Sequence, residues 1–267
     1  MKFYKYAPWT GTSGDYTRQN LLENAVYLAS PVVFNDPFDF NPVYDYTATH
    51  KEQVQHYSRI LRKKLGIHKT ESVRNAKKHL LENQAFRGKN GIEHFACESK
   101  KGLRNLMGVS CFTTKPRNSP MWAHYAEGYQ GICLEWTFPE KGEHFYLPDG
   151  VEKVSPLVLQ PLKYADERAV CRIFDDSIPQ ANALYQSIIT KSSDWSYEDE
   201  YRLITPGYVG KVYYHVYRLS AIIIGCKATP ERIHEIKDFV RKIKYQPRLY
   251  QAQLSERIFD YEIVPLK

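Results

Sequence analysis

The chain switches repeatedly between two hydrophobic periods. Residues 2–7 (KFYKYA) alternate as a strand does and stop at Pro8, and residues 25–29 (AVYLA) form a second short apolar run ended by Ser30-Pro31. Between them Gly11 and Gly14 break the chain, and Asp15 is placed to cap a short helix through Asn24. Residues 34–40 (FNDPFDF) then combine turn formers with three phenylalanines, which predicts a polar turn anchored in a core. From 49 to 106 the period becomes helical: Val54, Tyr57, Ile60, Leu61 and Leu65 follow the three-four spacing, Gly66 interrupts it, and Val73, Ala76, Leu80 and Leu81 resume it. A third helical piece runs from Ile92 through Phe95 to Leu103 and Leu106.

Strand character returns at 108–113 (GVSCFT) and 131–138 (GICLEWTF), separated by a short helical stretch at 121–126. Residues 151–164 read as one or two proline-bent strands, and 179–190 as a helix. Residues 212–226 hold two strands, the second (SAIIIG) apolar enough to be buried on both faces. Thr229-Pro230 starts a helix with Ile233, Ile236, Phe239, Val240 and Ile243 as its buried stripe, and strands at 248–254 and 259–264 close the chain. The pattern predicts a single α+β domain over 1–267, a twisted and mainly antiparallel sheet with a helical segment inserted at 49–106.

The densest chemistry lies at 191–205, KSSDWSYEDEYRLIT. If this stretch is extended throughout, Glu198, Glu200 and Arg202 share one face, and Tyr197, Tyr201 and Leu203 the other. Two close carboxylates raise each other's proton affinity unless a cation intervenes, which suits acid/base or oxocarbenium chemistry. An edge strand with weak surface ion pairs has the same pattern. Within the strand, Glu200 is expected to be the more buried carboxylate, its charge held by Arg202 or His124, with Glu198 nearer to solvent.

Charge changes the picture in one place. Residues 49–107 hold fourteen Lys/Arg against five Asp/Glu, which leaves the rest of the +7 chain slightly acidic. The basic segment could face nucleic acid or another anionic partner, and it reads equally as a solvated helical face. Five scattered cysteines without a CxxC pair indicate neither a disulfide framework nor a zinc knuckle. The lack of a long apolar run and of a signal-like N-terminus leads to the expectation of a cytoplasmic protein without a membrane partner.

Five ordered motifs, KFYKYA, FNDPFDF, SCFT with PMWAHYAEGYQGICLEW, WSYEDEYRL and AIIIGCKATPE, resemble domain of unknown function family 2971, which is bacterial and phage-associated. That resemblance carries no activity. The order of parts also resembles the ADP-ribosyltransferase superfamily, where the second glutamate of a late ExE strand contacts the nicotinamide ribose. This implies NAD as co-substrate, a protein or nucleic-acid acceptor, and a role as toxin or defence effector. Glu200 would stabilise positive charge on the ribose and Glu198 would orient the acceptor, with His124 as acid, base or phosphate donor. Tyr125 or Trp122 would stack on nicotinamide, and Lys5, His124 or Arg202 would meet the pyrophosphate. Tyr6, Asn35 and Asp36 complete the implied cofactor-binding set. Lys5-Tyr6 stands where those enzymes usually show Arg or His.

Two further readings stand beside it. One is a non-catalytic nucleic-acid or partner-binding module using the basic insert. The other is a metal-dependent nuclease built from Asp36, His124, Glu198 and Glu200, although no ligand spacing demands a metal and none is expected. Whatever the chemistry, the FNDPFDF, MWAHYA and YEDEYR segments are expected to meet at one cleft.

Overall fold

A computed structural model describes residues 1–10, 16–82, 97–98, 100–175 and 185–266. Its first strands are β1 (Lys2–Ala7), β2 (Ala25–Leu28), β3 (Val43–Asp45), β4 (Met107–Thr113) and β5 (Ile132–Thr137). Four short or medium strands follow, β6 (Gln160–Pro161), β7 (Lys163–Ala165), β8 (Val170–Arg172) and β9 (Thr190–Ser192). The last five are β10 (Glu200–Pro206), β11 (Gly210–Tyr213), β12 (Leu219–Ile224), β13 (Arg248–Leu254) and β14 (Tyr261–Pro265). The helices used below are α1 (Tyr16–Glu23), α2 (His50–Leu65), α3 (Lys69–Glu82), α4 (Ser119–Tyr125) and α5 (Pro230–Val240).

The chain divides into two compact units, residues 1–30, 106–162 and 194–267 in the first and 31–105 with 163–193 in the second. The first unit carries an eight-stranded sheet in the order β14-β13-β12-β5-β1-β4-β10-β6. All its pairings are antiparallel except β12 with β13, and that parallel step is made possible by the α5 crossover. Strand alternation sorts the core onto two faces. Phe3 and Ala7 of β1, with Ile222 and Ile224 of β12, enter a large cluster that includes Ile236 and Phe239 of α5. Tyr4 and Tyr6, with Ile223, enter a second cluster against Met121 and Trp122 of α4. The SAIIIG run is thus buried on both faces, as its composition demands.

One irregularity in this sheet positions the chemistry. β1 pairs with β5 over its full length, from Lys2 opposite Thr137 to Ala7 opposite Ile132. Against β4 the register holds a single pair, Tyr4 with Thr113. β4 continues with seven pairs to β10, from Glu200 opposite Thr113 to Pro206 opposite Met107. The sheet therefore parts between β1 and β4 just beyond Tyr4.

The second unit contains the basic helices. Thr49 caps α2 in a full capping box with Glu52, and Gly66 ends it in the left-handed conformation at φ 66°. Val54, Ala76 and Leu80 form the contact of α2 with α3, and the buried Ser58 and Ser72 hydroxyls meet at 2.7 Å. The helices share this unit with the FNDPFDF turn and with the parallel pairs β3-β8 and β7-β9. The expected Asp15 cap lies outside the described residues, as do parts of the third helical piece and of the 179–190 helix; residues 97–98, 100–106 and 185–189 are helical.

Candidate functional site

β10 does not begin where the periodicity places it. Ser193–Glu198 is a 3-10 turn, Asp199 has a positive φ of 46°, and the strand starts at Glu200. Glu198 therefore does not share a strand face with Glu200 and Arg202. The turn is braced from the β4-α4 connection: Thr114 Oγ1 donates to Asp199 Oδ2, and Asn118 Nδ2 donates to the Tyr197 carbonyl at 2.5 Å. Asn118 also caps α4 through Met121 N, so one residue fixes the helix and the glutamate turn together.

Both glutamates are buried, Glu198 at 3% and Glu200 at 4% exposure, which corrects the expectation of a solvent-side Glu198. The physical reason is the turn, which swings the Glu198 side chain inward to accept from Tyr125 Oη at 2.7 Å. Glu200 faces Arg202, whose Nε lies 2.6 Å from Oε1 and whose Nη2 lies 3.3 Å from Oε2. Arg202 is itself fully buried, so it serves as the expected partner of Glu200 and is not exposed to meet a pyrophosphate.

Lys5 sits at the parting of β1 and β4. Its ammonium donates to Ser110 Oγ at 3.0 Å and to the Cys111 carbonyl at 2.9 Å, and lies 5.4 Å from the centre of the Phe112 ring. Burial pushes the Lys5 ammonium below its ordinary range, while Cys111 and Glu200 act in the opposite direction. The Cys111 thiol is pushed well up, first by burial and then by Glu200, with Arg202 and Lys5 pulling it down. Alternation puts Lys5 and Ser110 on the Phe112 side of the sheet and Cys111, Glu200 and Arg202 on the other, with Cys111 and Glu200 near enough to act on the Lys5 charge. Ser110 and Cys111 were missed by sequence reasoning. The only sign of them was two polar residues inside the otherwise apolar strand GVSCFT.

The remaining candidates differ in their local settings. Trp122 is fully buried, its Nε1 donating to the Pro116 carbonyl and its ring meeting Tyr6 edge-on at 5.0 Å, so it is core and not an open stacking surface. Tyr6 is likewise buried, donating to the Lys115 carbonyl at 2.8 Å. His124 is exposed on α4. Tyr125 is half-buried and reaches Glu198. Asn35 and Asp36 belong to the second unit, whereas the MWAHYA and YEDEYR segments belong to the first. Among the described residues no group of three or more His, Cys, Asp or Glu side chains is arranged to hold a metal ion, and no helix is long and apolar enough to cross a membrane.

Fold and site together define an α+β protein whose central sheet gathers the half-buried Lys5 and Cys111 with the buried Glu200 and Arg202. Residues 121–203, from the MWAHY helix to the glutamate strand, match the family described as Protein of unknown function (DUF2971). The family resemblance carried by those motifs is borne out over this segment, and the family's description names no activity. No curated protein and no solved structure matches the chain.

Proposed function

We propose that the chain is an ADP-ribosyltransferase-like enzyme that cleaves NAD and transfers ADP-ribose to a protein or nucleic-acid acceptor. One observation carries this reading: β1, bearing Lys5, and β10, opening at Glu200, flank the same strand β4, with Glu200 acting on the Lys5 charge. The two ends of the motif order, nearly 200 residues apart in sequence, therefore converge on one strand.

In this reading the bond from nicotinamide to ribose breaks with its electron pair leaving on nicotinamide, and the acceptor nucleophile forms the new bond to the ribose carbon. Glu200 is oriented by Arg202 and lies in a low-dielectric setting, where a carboxylate acts more strongly on a developing cation than it would in water. Glu198, held by Tyr125, is the group that takes the acceptor's proton. Lys5 supplies positive charge for the phosphates from the other side of β4, and Tyr125, half-buried beside Glu198, stacks on nicotinamide. Calorimetric titration of the full chain with NAD at millimolar concentration tests this. Saturable binding is expected; no heat above dilution would remove the transferase reading.

A second reading is favoured by a different observation. Arg59, Arg62 and Lys63 line an open concavity at the C-terminal end of α2, beside Gly66 and Ile67. Such a patch suits the phosphates of a nucleic acid. Neutralising Arg62, Lys63, Lys64, Lys77 and Lys78 together should then weaken nucleic-acid binding and flatten its salt dependence, while Glu200→Gln leaves that binding unchanged.

A further inference from the structure

The second unit holds a cavity of about 180 Å³ that the transferase reading does not use. It is roomy enough for several heavy atoms and not merely one water. Its lining includes Asp36, Phe38, Asn41, Ala169, Arg168 and Lys191. Asp36 is only 3% exposed, and its Oδ2 is fully buried without a hydrogen-bond partner. Asn41 Oδ1 is in the same condition. Buried carboxylate and amide oxygens left unpaired are costly, and here two of them belong to residues that line one cavity.

Both side chains are held in place by their other polar atom. Asp36 Oδ1 accepts from Phe38 N at 2.8 Å, and Asn41 Nδ2 donates to the Pro37 carbonyl at 3.1 Å. The loop is tied down from two directions: Arg104 Nη2 donates to the Asp39 carbonyl at 2.7 Å, and Arg168 Nη2 donates to the Asn41 carbonyl. Neither free oxygen can therefore turn inward to find a partner without breaking an existing bond. Phe38 and Ala169 give the cavity apolar surface, and the lining carboxylates Asp36, Asp166 and Glu167 outnumber the cations Arg168 and Lys191.

We propose that this cavity binds a small organic cation, an amine or amidine head on an apolar body, with Asp36 Oδ2 and Asn41 Oδ1 accepting its N–H groups. An amidine matches the requirement best in principle, because its two parallel N–H donors and single positive charge suit two acceptors, one of them a carboxylate oxygen. The inference does not depend on NAD chemistry, since it uses only residues of the second unit.

The test uses benzamidine as the probe, with benzoate and benzyl alcohol of similar size as controls, titrated into the full chain and followed by ligand-observed NMR. Saturable binding of benzamidine and none of benzoate is expected. Asp36→Asn should weaken it at least tenfold, and Ala169→Leu, which fills the space without touching the acceptors, should abolish it. Hydrogen exchange of the wild type keeps the proposal falsifiable should a variant fold poorly: benzamidine should slow exchange at residues 36–42 and leave β1, β4 and β10 unchanged. Equal binding of benzamidine and benzyl alcohol, undiminished binding by folded Asp36→Asn, or no protection at residues 36–42 would each overturn it.

Discussion

Arg202 Nε lies 2.6 Å from Glu200 Oε1 on the same strand, two residues apart, with the arginine side chain wholly buried and the glutamate side chain 3% exposed. Such a pair costs desolvation to form and costs more to break singly, because the survivor is left as an uncompensated buried charge. Arg202→Met should lower unfolding stability by about 3–5 kcal/mol. The double variant with Glu200→Gln should recover part of that loss. Urea denaturation of the single and double variants measures both, and equal losses would show that the two side chains act independently.

Glu135 gives an acid-side signature. Burial pushes its carboxyl up, but hydrogen bonds from Ser220, Lys2 and Tyr4 outweigh this and hold it below the ordinary value of 4.5. A carboxylate depressed in the folded state contributes stability in full above its ordinary value, and that contribution is lost as pH falls through the ordinary value toward the folded one. Melting temperature should therefore fall more steeply with acidification below about pH 4.5 in the wild type than in Glu135→Gln, where that dependence is gone. The variant should also lose about 2 kcal/mol at neutral pH through its charge-assisted bonds.

Thiol chemistry reports on the parted sheet. Cys97 is exposed, whereas burial raises both Cys111 and Cys133. Because the thiolate is the reactive form, iodoacetamide at pH 7.5 should label Cys97 first and leave Cys111 and Cys133 unmodified until the chain unfolds. Mass spectrometry of timed digests checks the order. In Glu200→Gln the Cys111 thiol loses the neighbour that raises it and should label faster than in the wild type.

Gly225 closes β12 against the turn after α4. A Cβ there would stand 2.0 Å from the Tyr129 carbonyl oxygen, which is backbone and cannot swing away. The close approach is set by Gly225 N donating to the Gly131 carbonyl at 2.9 Å. Gly225→Ala should cost about 1–3 kcal/mol through forced backbone movement, read by thermal unfolding.

Much of this architecture was legible because period and burial agree. KFYKYA, AVYLA, GICLEWTF, SAIIIG and the Thr229-capped helix lie where alternation and helical spacing place them, since each has one answer that buries its apolar side. The 198–202 segment was misread for a physical reason: strict alternation over YEDEYR is compatible with a strand, and nothing local says that Asp199 adopts a positive φ. That conformation is stabilised from elsewhere, by Thr114 and Asn118, more than 75 residues away in sequence. Trp122 and Tyr6 carried the same ambiguity, because an aromatic that packs a core and one that stacks on a ligand have the same sequence signature. The parting of β1 from β4 was invisible, because register between distant strands leaves no mark in either strand alone.

The central claim is that Glu200 stabilises charge on a ribose while Glu198 serves the acceptor. Its most direct test is nicotinamide release from NAD, followed by chromatography, for the wild type, Glu198→Gln and Glu200→Gln, each verified as folded. Folded Glu200→Gln should lose at least a hundredfold in both release and transfer, corresponding to about 3 kcal/mol of transition-state stabilisation. Glu198→Gln should lose transfer to the acceptor while retaining slow hydrolysis. Undiminished release by Glu200→Gln, or no release by the wild type with protein, DNA and RNA acceptors supplied, would contradict the account.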